Sequence, residues 1–136
     1  VNNQITAKNA STAKSFGTMS FRLNNDAKIE CTIIFFHHSP MKSTILGKAL
    51  DGNQLINISC PTTLKPGSHT LKYMDDFPGA FTAWLYQDES GTQYLPEKGN
   101  MNVTLSDDNK TIKGNANFII EPRNDKVTIE FEASNP

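Results

Sequence analysis

Three histidines offer the first chemical possibility. His37 and His38 follow the apolar run Ile33-Ile34-Phe35-Phe36 and precede Ser39-Pro40, and His69 opens a later extended segment. A catalytic zinc needs three protein ligands and an open position. Neighbouring residues on a strand point to opposite faces, so His37 and His38 share an ion only if the strand breaks there. Ordinary loop histidines are the plainer reading. A nucleophilic site needs Ser or Cys beside His and a carboxylate. All these types occur, yet no Gly-x-Ser-x-Gly context marks one serine. The carboxylate pairs Asp75-Asp76 and Asp107-Asp108 sit in turn-like surroundings, where Asp forms turns and caps. Glycoside hydrolysis instead needs two carboxylates facing one sugar across a cleft. The oxygens of Asp107-Asp108-Asn109 suit calcium, but the spacing of an EF-hand loop is missing. No catalytic residue, metal ligand or cofactor is assigned, and the expectation leans away from an enzyme.

Aromatic residues offer recognition instead of catalysis. In the stretch Ala80 to Gln87, Phe81, Ala83 and Leu85 alternate with Trp84 and Tyr86. If the first set faces the core, Trp84 and Tyr86 face outward, and with Tyr94 they form a candidate ligand-binding surface. In a barrel the same positions line a cavity; alternatively the rings cover a second packing layer. The two cysteines, Cys31 and Cys60, fall in two predicted strands. A structural disulfide between them is expected, with buried free thiols as the alternative. No Cys-x-x-Cys is present to suggest redox or metal chemistry.

The elements that must position these residues are strands. Apolar and polar residues alternate with the period of half-buried strands. Met101, Val103 and Leu105 form one such set, Ile112, Ala116, Phe118 and Ile120 a second, and Val127, Ile129 and Phe131 a third. They are joined by Ser106-Asp107-Asp108-Asn109-Lys110 and Glu121-Pro122-Arg123-Asn124-Asp125, both turn chemistry of hairpin length. A C-terminal three-strand meander follows. Earlier strands run from Phe16 to Leu23, from Lys28 to Phe36, from Gln54 to Cys60 and from His69 to Met74. In the second, Ile29, Cys31, Ile33 and Phe35 are expected to share one face. Residues Met41 to Leu50 fit either a short helix started by Pro40 or a strand centred on Thr44-Ile45-Leu46. The fold class is all-β, an antiparallel sandwich or small barrel of about 8 strands.

The chain has 136 residues, so a single domain over 1–136 is expected, with 1–14 a polar leader. Hydrophobic residues make up 37%, charged residues 20%, and the net charge is -1. Asn, Ser and Thr fill the difference, which reads as a folded domain with a neutral polar surface. Scattered lysines without a basic cluster argue against nucleic acid as a partner. No apolar stretch approaches a membrane span. The chain opens on Val1 rather than Met, which fits removal of a signal segment or trimming. Four Asn-x-Ser/Thr triplets, at Asn9, Asn57, Asn102 and Asn109, matter only in a eukaryotic secretory route.

The segment Lys98 to Leu105, then Thr111 to Phe118, then Val127 to Phe131, preceded by the turn Leu64-Lys65-Pro66-Gly67-Ser68-His69, resembles the closing strands of small bacterial envelope domains. These are β-sandwich or calycin-like barrels, often lipoproteins. The resemblance spans about residues 54–132 and implies an exported, mostly non-catalytic domain in the periplasm, on a lipid anchor or secreted. It carries over no catalytic residue. The functional expectation is therefore a binding domain for a protein, glycan or small apolar ligand through Trp84, Tyr86 and Tyr94. Two alternatives stand beside it. One is a small hydrolytic or metal-dependent enzyme using His37, His38 or His69. The other is a structural or secreted effector subunit that assembles by its edge strands.

Overall fold

A computed structural model of the chain describes residues 16–38, 42–61, 64–77, 83–108 and 110–134. The expected leader, Pro40, Met41, Phe81, Asn9 and Asn109 lie outside the described residues. Ten strands follow in order: β1 (Phe16–Leu23), β2 (Ile29–His38), β3 (Lys42–Ala49), β4 (Leu55–Pro61), β5 (Gly67–Tyr73), β6 (Leu85–Gln87), β7 (Gln93–Tyr94), β8 (Gly99–Leu105), β9 (Thr111–Ile120) and β10 (Asp125–Ser134). The all-β expectation holds. The strands form one antiparallel sheet in the order β5-β8-β9-β10-β1-β2-β3-β4-β6-β7, curled into a half-barrel.

Chain connectivity demands that curl. In a flat sheet β4 and β5 would stand seven strand gaps apart, about 34 Å at the usual inter-strand spacing. The link from Pro61 to Gly67 spans at most about 21 Å when fully extended. The link from Tyr94 on β7 to Gly99 on β8 is shorter still and joins strands eight gaps apart. The two ends of the sheet must therefore approach each other, and their inner faces form one core. Ile45 and Ile58 from β3 and β4 face Met101, Ile112 and Phe131 from β8, β9 and β10 across a narrow interior gap. Phe21 on β1 meets Tyr86 on β6 edge to face, 5.8 Å between centroids.

Alternation sorts the faces in β8, β9 and β10. Met101, Val103, Leu105, Ile112, Ala116, Phe118, Val127, Ile129 and Phe131 are buried, and their polar neighbours point outward. Residues 42–49 form β3, so the helical alternative fails: the β-branched Thr44 and Ile45 pair with β2 on one side and β4 on the other.

Strand β2 departs from the expected pattern. Its register against β3 shifts between Ile33 and Phe35, so Ile34 is an extra residue in the ladder. Such a bulge interrupts alternation. Ile34 and Phe35 both face solvent, 47% and 39% exposed, and Phe36 takes the core position instead. The expected face of Ile29, Cys31, Ile33 and Phe35 thus ends at Ile33. Past Cys31 no ladder joins β2 to β1 among the described residues.

Candidate functional site

Trp84 and Tyr86 are core residues, with 0% and 1% of their surface exposed. The expectation that they form an outward recognition face is corrected. The segment turns the other way: Ala83 is exposed and Leu85 half-buried. Bulk decides the choice, because the two large rings bury far more apolar area than Ala83 and Leu85. Their polar atoms also find partners inside. The Trp84 Nε1–H donates to the Ser59 carbonyl at 2.9 Å, and the Gln54 amide donates to the Tyr86 hydroxyl at 3.0 Å. Burial pushes the Tyr86 phenol pKa up, as it does that of Tyr73.

Tyr94 is half-buried and belongs to a clasp. Its ring stacks on Tyr86 at 6.0 Å, and the Arg123 guanidinium lies 5.6 Å from its centroid. Arg123 pairs with Asp125 at 2.8 Å and reaches Asp88 at 3.7 Å. Asp88 also accepts from the Ser90 hydroxyl, the backbone of Ser90 and Thr92, and the Tyr94 hydroxyl. The Ser90 bond leads in holding the Asp88 carboxyl below the usual range. The clasp ties β7, the last strand of the sheet, to the β9–β10 turn.

The cysteines are unpaired. The expected disulfide is ruled out by register: Cys31 lies opposite Ala49 on β3 and Cys60 opposite Ser43 on β3. Six residues along that strand separate the two by about 20 Å, far beyond the reach of a disulfide. Burial pushes the Cys31 thiol up to about 11, aided by Glu30, and the Cys60 thiol up to about 12. Both are inert thiols at neutral pH.

The histidines do not converge. The exposed His37 stacks on Phe35, 5.8 Å between ring centroids; the side chain of His38 lies outside the described residues. His69 sits five strand positions from β2 in the sheet, its Nε2 2.6 Å from the Lys65 carbonyl. Among the described residues no three His, Cys, Asp or Glu side chains gather as metal ligands. The carboxylate pairs serve turns. Asp76 accepts from the Lys72 amide at 2.8 Å. Asp108 accepts from the Ser106 hydroxyl at 2.6 Å and the Lys110 amide at 3.0 Å.

A different feature is concave. The outward face of β5, β8, β9, β10, β1 and the start of β2 forms an open trough of about 770 Å³. Register lays its side chains in rows. One row reads Thr70, Asn102, Asn115, Glu130, Ser20 and Glu30, one residue per strand. A parallel row reads Ser68, Thr104, Lys113, Glu132 and Thr18. Neighbours within each row are hydrogen-bonded on β5, β8 and β9. The Thr70 hydroxyl donates to the Asn102 carbonyl oxygen at 2.9 Å, and the Asn102 amide donates to that of Asn115 at 3.2 Å. Ser68 and Thr104 hydroxyls meet at 2.9 Å. Lys28 donates to Glu130 at 2.9 Å, and this bond holds the Glu130 carboxyl below its usual range. Two glycines let the backbones meet beneath. A Cβ on Gly114 would overlap the backbone carbonyl oxygen of Asn102, and one on Gly17 the backbone carbonyl oxygen of Glu132; both glycines have positive φ. Sequence reading missed the trough because each residue reads alone as the solvated half of an alternating strand. The repeated Asn and Thr at outward positions were its one signal.

No helix among the described residues is long and apolar enough to cross a membrane. In comparisons with known proteins, the chain matches no family model, no curated protein and no solved structure.

Proposed function

We propose that this chain is an exported, non-catalytic binding domain that recognises a hydroxyl- and amide-rich ligand on its polar trough. The observation that carries the reading is the trough itself: an open polar face six strands wide on which Thr70, Asn102 and Asn115, and likewise Ser68 and Thr104, hold one another in place. Each of these groups can donate and accept, and a pre-set hydrogen-bonding surface loses little side-chain entropy on binding. The small apolar ligand considered from sequence loses its support, since Trp84 and Tyr86 are packed in the core and Tyr94 is half-buried in the clasp with Arg123 and Asp88. The C-terminal meander of β8, β9 and β10 supplies a rigid floor.

Export is proposed on the neutral composition rich in Asn, Ser and Thr and on the resemblance to envelope domains. Unpaired thiols withdraw the support a disulfide would lend. An enzymatic role draws little support from histidines on distant strands or from carboxylates engaged in turns. The test is to follow side-chain and backbone amide signals by NMR during titration with a panel of glycans and polar peptides. The reading expects shifts at Asn102 and Asn115; shifts confined to residues outside the trough overturn it.

A second reading, assembly through a strand edge, is favoured by one observation: Ile34 and Phe35 point outward together where, among the described residues, no ladder joins β2 to β1. Light scattering at high concentration tests it, with Phe35→Lys expected to dissolve any dimer.

A further inference from the structure

We propose that the ligand of the trough is a linear, uncharged glycan laid across the strands, an inference that rests on the trough being the binding site. The first support is the direction of the row. Thr70, Asn102, Asn115, Glu130, Ser20 and Glu30 stand one per strand, and all but the buried Ser20 are exposed, so a ligand along the row meets a hydrogen-bonding group on five of six strands over a span of about 24 Å. A single sugar ring covers only a fraction of that length. An extended polymer, with a hydroxyl pattern repeating along its axis, can engage the whole row.

The second support is the side-chain chemistry. Met19, Val103 and Phe131 lie under the trough with their side chains turned into the core. The surface therefore lacks the apolar pockets by which a peptide strand is anchored. Asn, Ser and Thr match a polyol, which both donates and accepts at every unit. The third support is charge. Lys28 and Lys113 stand against Glu30, Glu130 and Glu132, three carboxylates against two ammonium groups. Their signs are interspersed, and Lys28 already pairs with Glu130. A polyanion would meet no basic stripe here and a polycation no strong acidic one.

The experiment is calorimetry on the full chain with cello- and chito-oligosaccharides of one to six units, oligogalacturonate as an acidic probe and glucosamine oligomers as a cationic one. NMR signals of Asn102 and Asn115 locate the contact. Affinity is expected to rise by about tenfold or more from dimer to hexamer, as contacts along the row are added. Thr70→Ala and Glu30→Gln, at the two ends, should weaken the hexamer by about threefold and leave the dimer unchanged. Asn115→Ala, at the centre, should weaken both, with circular dichroism confirming its fold and Asn102→Asp as a second variant that keeps size but removes the relay donor. Affinity independent of chain length overturns the linear ligand while leaving the site standing. Tighter binding of either charged probe overturns neutrality. No shift at Asn102 or Asn115 with any probe overturns the site and the inference together.

Discussion

The Trp84 indole lies nearly face to face with the Tyr73 ring, 4.3 Å between centroids and 22° between planes. Tyr73 belongs to β5, the first strand of the sheet, and Trp84 leads into β6 near its other end. The Tyr73 hydroxyl accepts from the Trp84 backbone amide at 2.9 Å, and the indole reaches Ser59 on β4. Among the described residues no backbone ladder joins β5 to β4, β6 or β7, and these side-chain contacts close the curl.

Trp84→Ala should therefore destabilise the fold by about 3–5 kcal/mol, the cost of emptying a large aromatic site. Trp84→Phe should cost less, about 1–3 kcal/mol, mostly for loss of the indole hydrogen bond to the Ser59 carbonyl. Urea denaturation followed by circular dichroism measures both. Trp84 is the sole tryptophan, so wild-type fluorescence should be blue-shifted when folded and move red on unfolding. A red-shifted native spectrum would contradict its burial.

The bulge in β2 makes an inverted expectation at adjacent phenylalanines. Phe36→Ala should cost about 3–5 kcal/mol, whereas Phe35→Ser should change stability by no more than about 0.5 kcal/mol. Equal losses at the two positions would mean that alternation runs unbroken through Ile34.

Raised thiol pKa values make stability depend on alkaline pH. Below the ordinary thiol value of 9.0 both folded and unfolded thiols are protonated and the folded state is unaffected. As pH rises above it the unfolded thiols ionise first, and stability falls until the folded thiols follow at about 11 for Cys31 and about 12 for Cys60. Urea midpoints measured from pH 8 to 11 should decline more steeply in the native sequence than in a Cys31→Ala, Cys60→Ala variant. Reducing agent should leave the native midpoint unmoved.

Glu130 has its pKa lowered by Lys28, so its contribution is present above the ordinary carboxylate range and lost as pH falls through the lowered value. Lys28→Ala should raise the Glu130 titration, followed by NMR, toward the usual range, with the charge of Arg22 still lowering it. Because both groups are solvent-exposed, stability should change by less than about 0.5 kcal/mol.

Gly114→Ala forces a methyl group toward the Asn102 carbonyl in the floor of the trough. A loss of about 1–3 kcal/mol is expected from the clash and backbone strain, read as a lower denaturation midpoint.

Alternation made the strands from Gly99 to Ser134 legible, because each buries one face only and the apolar set is unbroken. It was less informative where other forces intervene. One extra residue at Ile34 reverses the facing of all that follows, and nothing in the composition of Ile33-Ile34-Phe35-Phe36 marks which residue is extra. At Trp84 and Tyr86 alternation gave the right period and the wrong phase, since Phe81, Ala83 and Leu85 looked equally apolar and only burial of the larger rings breaks the tie. The disulfide expectation failed on register: β2, β3 and β4 are neighbours in chain order, and β3 separates the two cysteines and offsets them along its length. The trough was hidden because strand order is non-local there: Thr70, Asn102, Asn115 and Ser20 become neighbours only once β5 and β1 are placed around β8, β9 and β10.

One pairing described above sets the order of events on the ribosome. β1 lies between β2 and β10, and its longer ladder is with β10, from Phe16 opposite Ser134 to Leu23 opposite Val127. During synthesis β1 emerges ahead of β2 to β10 and waits for its principal partner until the eight strands between them have been made. The nascent chain thus carries an open, partly apolar edge through most of translation, the condition under which chaperones are recruited and aggregation competes. The trough, which spans β1 and β10 together, forms only after β10 has been made.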